Sequence, residues 1–171
     1  MRAEDDATAK VITLGEGEIA AADVNTFRID EPNLTIQGAG ADKTTINTGD
    51  YSISGQAGVL VSADNVTSKD LKVVSNNPGV SGGVIKVSMI GDATQLPLVE
   101  NVTIENVVLR AETAGFGLNL HGVEGATVKN VTVEKAAKAS VNVAKATGVT
   151  FDGLKTGESG WGADVVFSYN A

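Results

Sequence analysis

Asn101-Val102-Thr103-Ile104-Glu105-Asn106-Val107-Val108-Leu109 carries two short alternating runs separated by an asparagine. Val102 and Ile104 face one way and Thr103 and Glu105 the other, and the count restarts after Asn106 with Val107 and Leu109. Such runs are too short and too β-branched for helices and read as half-buried strands. The same phrase returns as Asn33-Leu34-Thr35-Ile36, Asn65-Val66-Thr67-Ser68, Gly125-Ala126-Thr127-Val128 and Gly148-Val149-Thr150-Phe151. Its apolar anchors Leu34, Val66, Val102, Ala126 and Val149 lie 32, 36, 24 and 23 residues apart. The last two spacings set the repeat unit, and the first two are units carrying inserted loops.

Two more phrases belong to each unit. An apolar-x-apolar run precedes the first phrase: Phe27-Arg28-Ile29, Val59-Leu60-Val61, Ile85-Lys86-Val87, Leu118-Asn119-Leu120 and Val141-Asn142-Val143, with Val165-Val166-Phe167 near the end. A third run follows it: Leu71-Lys72-Val73, Val107-Val108-Leu109, Val131-Thr132-Val133 and Leu154-Lys155-Thr156. Three strands per unit cannot bury a face alone, but units stacked about 4.8 Å apart bury a continuous core. The expected fold is all-β: a right-handed, single-stranded parallel β-helix of five or six rungs. Its inward columns read Ile36, Ser68, Ile104, Val128, Phe151 and Leu71, Val107, Val131, Leu154. Its outward columns read Thr35, Thr67, Thr103, Thr127, Thr150 and Gln37, Lys69, Glu105, Lys129, Asp152. Asp70, Asn106, Asn130 and Gly153 fall at one turn, where left-handed backbone and amide ladders suit these residue types.

Residues 1–171 read as one domain, with 1–10 as a loose tail. Val11–Leu14 is the expected first strand, and Glu18–Asp23 is expected as a short helix capping the stack. The inserts at Asn47–Gly58, Val74–Gly83 and Ser88–Pro97 are rich in Gly, Ser, Asn and Asp and read as surface loops. The last run, Val165–Phe167, matches the first strand of a new rung. It is followed by no helix, proline or charge run to cover its edge, and Trp161 precedes it. Either this strand closes the stack with help from Trp161, or the protein continues past Ala171; the second is the expectation, and on it the isolated chain self-associates end to end through this rung.

Composition narrows the function. The 171 residues hold 13 basic and 21 acidic side chains, a net charge of −8, with no Cys and one His. Disulfides, thiolate chemistry and multi-histidine metal centres are excluded. An acidic chain with three arginines is a poor nucleic-acid ligand. No run reaches the roughly 18 apolar residues of a membrane helix. Gly15-Glu16-Gly17-Glu18-Ile19-Ala20 fits the dinucleotide fingerprint in letters, but strand phrases follow it, and Glu16 would face the pyrophosphate with the wrong charge. The sequons at Asn33, Asn65, Asn101 and Asn130 lie inside the repeat phrase, where asparagine serves the turn.

Ile29-Asp30-Glu31-Pro32-Asn33-Leu34-Thr35-Ile36-Gln37-Gly38-Ala39-Gly40-Ala41-Asp42-Lys43-Thr44-Thr45-Ile46 resembles the first-rung signature of right-handed parallel β-helix proteins of the pectin-lyase-like superfamily. The later Asn/Gly-apolar-Thr phrases are similar to its ordinary rungs, so the resemblance covers Val11 to Ala171. It implies the fold, and a group that holds lyases, hydrolases, adhesins and surface proteins. Lyases of this group carry a calcium site of several Asp or Glu with an Arg base on neighbouring rungs. Here Arg28 and Arg110 lie in different strands of different rungs, and Lys129 separates Glu105 from Asp152. Hydrolases of the group carry Asn-Thr-Asp, Asp-Asp and Gly-His-Gly. Here the only Asp-Asp is Asp5-Asp6 in the tail, and His121 sits in Leu120-His121-Gly122. His121 is expected at a surface turn, with nothing nearby to tune its pKa.

No catalytic residue, metal ligand or cofactor is therefore assigned, and the ligand-binding residues are unknown. The expected function is a non-catalytic structural or adhesive module, extracellular or at a bacterial cell surface. Its expected partners are a carbohydrate or another surface protein, without nucleic acid or membrane insertion. The alternative is a carbohydrate-active lyase or hydrolase. A lesser one, ice binding by the threonine column, is opposed by the charged column beside it. The charges of that column, Lys69, Glu105, Lys129 and Asp152, are expected to pair across rungs.

Overall fold

A computed structural model of the chain describes residues 8–20, 27–48, 57–75, 82–89, 98–113 and 115–168. These residues form a parallel β-solenoid of about five turns, without a helix among them. The first turn consists of β1 (Lys10–Thr13), β2 (Gly17–Ala20) and β3 (Phe27–Ile29). The second consists of β4 (Leu34–Gln37), β5 (Thr44–Asn47) and β6 (Ala57–Val61). In the third, β7 (Thr67–Ser75) bends to supply two sides and β8 (Gly83–Val87) the other. β9 (Val99–Ala111) does the same above it, and β10 (Leu118–Lys129) closes that turn and opens the next. β11 (Thr132–Ala136) and β12 (Val141–Asp152) continue the winding, which ends in β13 (Lys155–Ser159) and β14 (Val165–Ser168).

Among the described residues every strand pairing is parallel, and the pairs stack into three faces. The first face runs β1-β4-β7-β9-β10-β12 and the second β2-β5-β7-β9-β11-β13. The third runs β3-β6-β8-β10-β12-β14. Within each face the register keeps like residues in line. Ile12, Ile36, Ser68, Ile104, Val128 and Phe151 form one column, and Thr35, Thr67, Thr103, Thr127 and Thr150 form the column beside it. Ile36, Ser68, Ile104 and Val128 are buried, with Leu71, Val107 and Val131 on the next face. Phe151 and Leu154, near the end of the stack, are partly buried against the same core. Burying each such aliphatic side chain contributes about 1.5–3 kcal/mol, which offsets the cost of ordering the strands.

The corners explain the recurrent asparagines. Asn33, Asn65 and Asn101 hold φ of 60°, 57° and 55° between the third and first faces, and Gly125 and Gly148 follow at 74° and 64°. Asp70, Asn106 and Asn130 hold 56°, 54° and 51° between the first and second faces, followed by Gly153 at 71°. Left-handed backbone suits Asn, Asp and Gly best among the residues. The amides also bond along the axis. Asn65 Nδ2 donates to Asn33 Oδ1 at 3.1 Å and Asn101 Nδ2 to Asn65 Oδ1 at 3.2 Å. At the other corner Asn106 Nδ2 donates to Asp70 Oδ1 at 2.9 Å and Asn130 Nδ2 to Asn106 Oδ1 at 3.2 Å.

Charged side chains on the outer surface also connect turns. Lys129 Nζ lies 3.0 Å from Glu105 Oε1, and its pKa is raised chiefly by that hydrogen bond. Among the described residues the expected Lys69–Glu105 and Lys129–Asp152 pairs are not closed. On the second face Lys72 Nζ reaches Glu134 Oε2 at 2.9 Å, across the intervening Val108 of β9. Arg110 bonds Glu112 and lies 3.7 Å from Glu134, while Lys135 lies 3.3 Å from Glu112.

The amino-terminal end differs from the sequence expectation. Glu18, Ile19 and Ala20 belong to strand β2, in register with Thr45, Ile46 and Asn47, and do not start a capping helix. Pairing with β5 outweighs the helix propensity of Glu and Ala. Residues 21–23 of that expected helix, and most of the three expected inserts, lie outside the described residues. Lys10, placed in the tail by the sequence reading, already belongs to β1 and pairs with Glu31.

The register makes two predictions. Val128→Asp would leave an uncompensated charge in the core, at roughly 3–5 kcal/mol. Thr127→Asp, one residue away on the outer face, should cost under about 1 kcal/mol. Equal losses of melting temperature would refute the register. At the corner, Asn106→Ala should be the more damaging change and Asn106→Gly the milder one. Their difference should be about 1 kcal/mol, the cost of a Cβ in left-handed backbone, as read from denaturant midpoints.

Candidate functional site

The outer side of the third face is unlike the other two. Its middle column reads Arg28, Leu60, Lys86, Asn119, Asn142 and Val166. Strand alternation sends Leu118 and Leu120 into the core and Asn119 outward. Asn119 and Asn142 are nevertheless only 6% exposed. Shielded amides need partners, and these have them. Asn119 Nδ2 donates to the Gly82 carbonyl at 2.6 Å, Asn142 Nδ2 to Asn119 Oδ1 at 2.9 Å, and Ser168 Oγ to Asn142 Oδ1 at 2.8 Å. This third ladder runs up the flank of the solenoid.

Beside the ladder lie cations that no carboxylate among the described residues neutralises. Lys86 sits directly in register with Asn119 and is half-buried. Burial lowers its pKa, and no carboxylate among the described residues pairs with it. His121, two residues beyond Asn119 on the same side of β10, is also half-buried, and its Nε2 is enclosed without a hydrogen-bond partner. Its pKa is lowered first by burial, then by the charges of Lys86 and Lys145. Lys145 follows Ala144, the register partner of His121, and holds φ of 48°. The neighbouring strand has Gly122 at this step, with φ of 69°. A lysine in left-handed backbone is uncommon and costs about 1–2 kcal/mol.

These observations change the reading of His121. It is a strand residue, not a turn residue, and two lysines act on it. Lys86 and Lys145 were not singled out by the sequence reading. The usable signals were Lys145 standing where the repeat places glycine, and Lys86 in the column of Asn119 and Asn142.

The other sequence candidates are dispersed. Arg28 is exposed on β3, whereas Arg110 is tied to Glu112 and Glu134 on the second face. Glu105 holds Lys129. Asp5 and Asp6 lie outside the described residues. Gly17–Ala20 of the nucleotide-like motif is strand β2, so no helix start follows its glycines. Among the described residues no three His, Asp or Glu side chains gather as a metal site.

Two further surfaces stand out. Trp161 is 56% exposed and packs edge-on against buried Phe116, with centroids 5.4 Å apart at 87°. Lys138 Nζ lies 5.0 Å from the Phe116 centroid and 5.8 Å from that of Trp161. At the ends of the stack, core columns open to solvent: Phe167, in register with buried Val143, is 77% exposed, and Ile12 is 47% exposed.

Compared with protein-family models, with curated proteins and with solved structures, the chain matches none.

Proposed function

We propose that this chain is a non-catalytic structural and adhesive β-solenoid module of a secreted or cell-surface bacterial protein, joined end to end through its terminal rungs. The observation that carries the reading is the exposure of core-column side chains on the outermost described strands. Phe167 and Ile12 belong to core columns yet are 77% and 47% exposed, and among the described residues β13 and β14 each pair on one side only. The two ends differ, so a second copy would stack head to tail. The column that begins with Glu18 runs through Thr45, Lys72, Val108 and Thr132 to Lys155. Stacking in register would therefore set Lys155 of one copy against Glu18 of the next.

Three lines support the setting. The Ile29–Ile46 stretch resembles the first rung of pectin-lyase-like β-helices, a group that includes adhesins and surface proteins. The chain is acidic, lacks cysteine and is built of repeats. The exposed ring of Trp161 offers the kind of apolar face on which a sugar ring stacks.

Sedimentation tests the end-to-end reading. The mass should rise with concentration up to the millimolar range. Phe167→Glu should suppress the rise, Lys155→Glu should weaken it, and adding Glu18→Lys to Lys155→Glu should restore it. A mass that stays monomeric throughout, or that ignores all three variants, would overturn the reading.

Activity assays test its non-catalytic part. Incubation with polygalacturonate or alginate, with and without calcium, should release no unsaturated or reducing ends. The net charge of −8 itself disfavours polyanions. Turnover abolished by changing a single acidic residue would establish an enzyme instead.

A further inference from the structure

The cationic flank of the third face has a chemistry that end-to-end stacking does not use. Lys86 and Lys145 bring two positive charges to His121 on adjacent strands. No carboxylate among the described residues pairs with either lysine, in a chain whose acids outnumber its bases by 21 to 13. Elsewhere on the surface, basic groups such as Lys72, Arg110, Lys129 and Lys135 are closed onto glutamates. Half-burying an ammonium without a partner costs free energy. Holding Lys145 in left-handed backbone costs more, where Gly122 shows that a glycine fits. The enclosed Nε2 of His121 is a further polar atom without a partner. Uncompensated features gathered at one place are characteristic of binding sites.

We propose that Lys86, His121 and Lys145 form a binding site for a dianionic tetrahedral oxyanion, a sulfate or phosphate group. Two unpaired lysines match two negative charges, which favours a dianion over a single carboxylate. The amide ladder of Asn119 and Asn142 fixes the strands on which the site is mounted. Bound anion would offset the two lysines and allow the imidazole to take a proton. By linkage, anion binding and protonation of His121 strengthen each other equally.

The charges around His121 set the sign. Lys86 on β8 and Lys145 on β12 both disfavour imidazolium, as does burial, so the free protein holds its histidine neutral below the usual range. An anion should move the midpoint upward. Sulfate is the cleaner probe, because phosphate esters gain a proton near pH 6 themselves.

His121 is the only histidine, so its ring proton resonances report a single titration. The titration is followed in the intact chain with sodium sulfate, sodium phosphate, a simple phosphomonoester, sodium acetate and sodium chloride at equal ionic strength. Sulfate and phosphate should raise the midpoint by about one unit relative to chloride, which corresponds to roughly tenfold tighter binding to the protonated protein. Acetate should do much less. A larger effect of the phosphomonoester than of phosphate would identify an esterified group as the ligand, and equal effects a free anion. Lys86→Gln should remove most of the shift. Lys145→Gly should reduce it while leaving the melting temperature unchanged or higher, since glycine relieves the backbone. Equal shifts with sulfate and chloride would reduce the effect to charge screening and overturn the site. So would a sulfate shift that survives both substitutions.

Discussion

A chain wound into parallel rungs must bring its backbone back to the same place on every turn, within the spacing of one strand. The rest of this molecule depends on that return. Hydrogen bonds between successive strands form only if the corners recur in register, and at two of the three corners a recurring left-handed residue fixes the turn. Asn33, Asn65, Asn101, Gly125 and Gly148 do this on one edge, and Asp70, Asn106, Asn130 and Gly153 on another. Once the corners are fixed, alternation sorts the side chains. Valines, leucines and isoleucines fall into inward columns, and threonines and charges into outward ones. The core is a by-product of repeated angles.

Polar groups take the same direction as the backbone bonds. The corner amides, the shielded ladder of Asn119 and Asn142, and the Lys129–Glu105, Lys72–Glu134 and Lys135–Glu112 ion pairs bind one turn to another. Individually these are modest, since an exposed ion pair contributes about 0.2–1 kcal/mol. What they supply is registry. A strand slipped by one residue would break its amide ladder and turn its core side chains outward.

Much of this was legible from residue order alone. The Asn-apolar-Thr phrase, its spacing and its partner phrases identify the strands, the columns and the corner residues. Four features were not legible, each for a physical reason. Glu18-Ile19-Ala20 has helical composition, and only the presence of β5 makes it a strand. Asn119 and Asn142 occupy outward positions of their runs, so their burial depends on what covers that face and not on alternation. Lys72 was readable as outward, but its pairing with Glu134 depends on the reach of its side chain past a small valine. The site at His121 was hidden for the same kind of reason. Its lysines come from Ile85-Lys86-Val87 and Ala144-Lys145-Ala146, far apart in sequence and brought to the two strands flanking β10 only by winding.

The reach of Lys72 to Glu134 bears on how the solenoid comes apart. A stack whose turns touch only their neighbours behaves as a one-dimensional chain, fraying from its ends one repeat at a time. Lys72 lies on β7 and Glu134 on β11, with β9 between them, and Arg110 and Glu112 of β9 join the same cluster. Opening the turn that carries β11 thus disturbs bonds anchored two turns below. The clasp adds a second-neighbour coupling to the three middle turns, so melting that begins at the carboxyl-terminal rung meets a small added resistance there on top of the nearest-neighbour gradient.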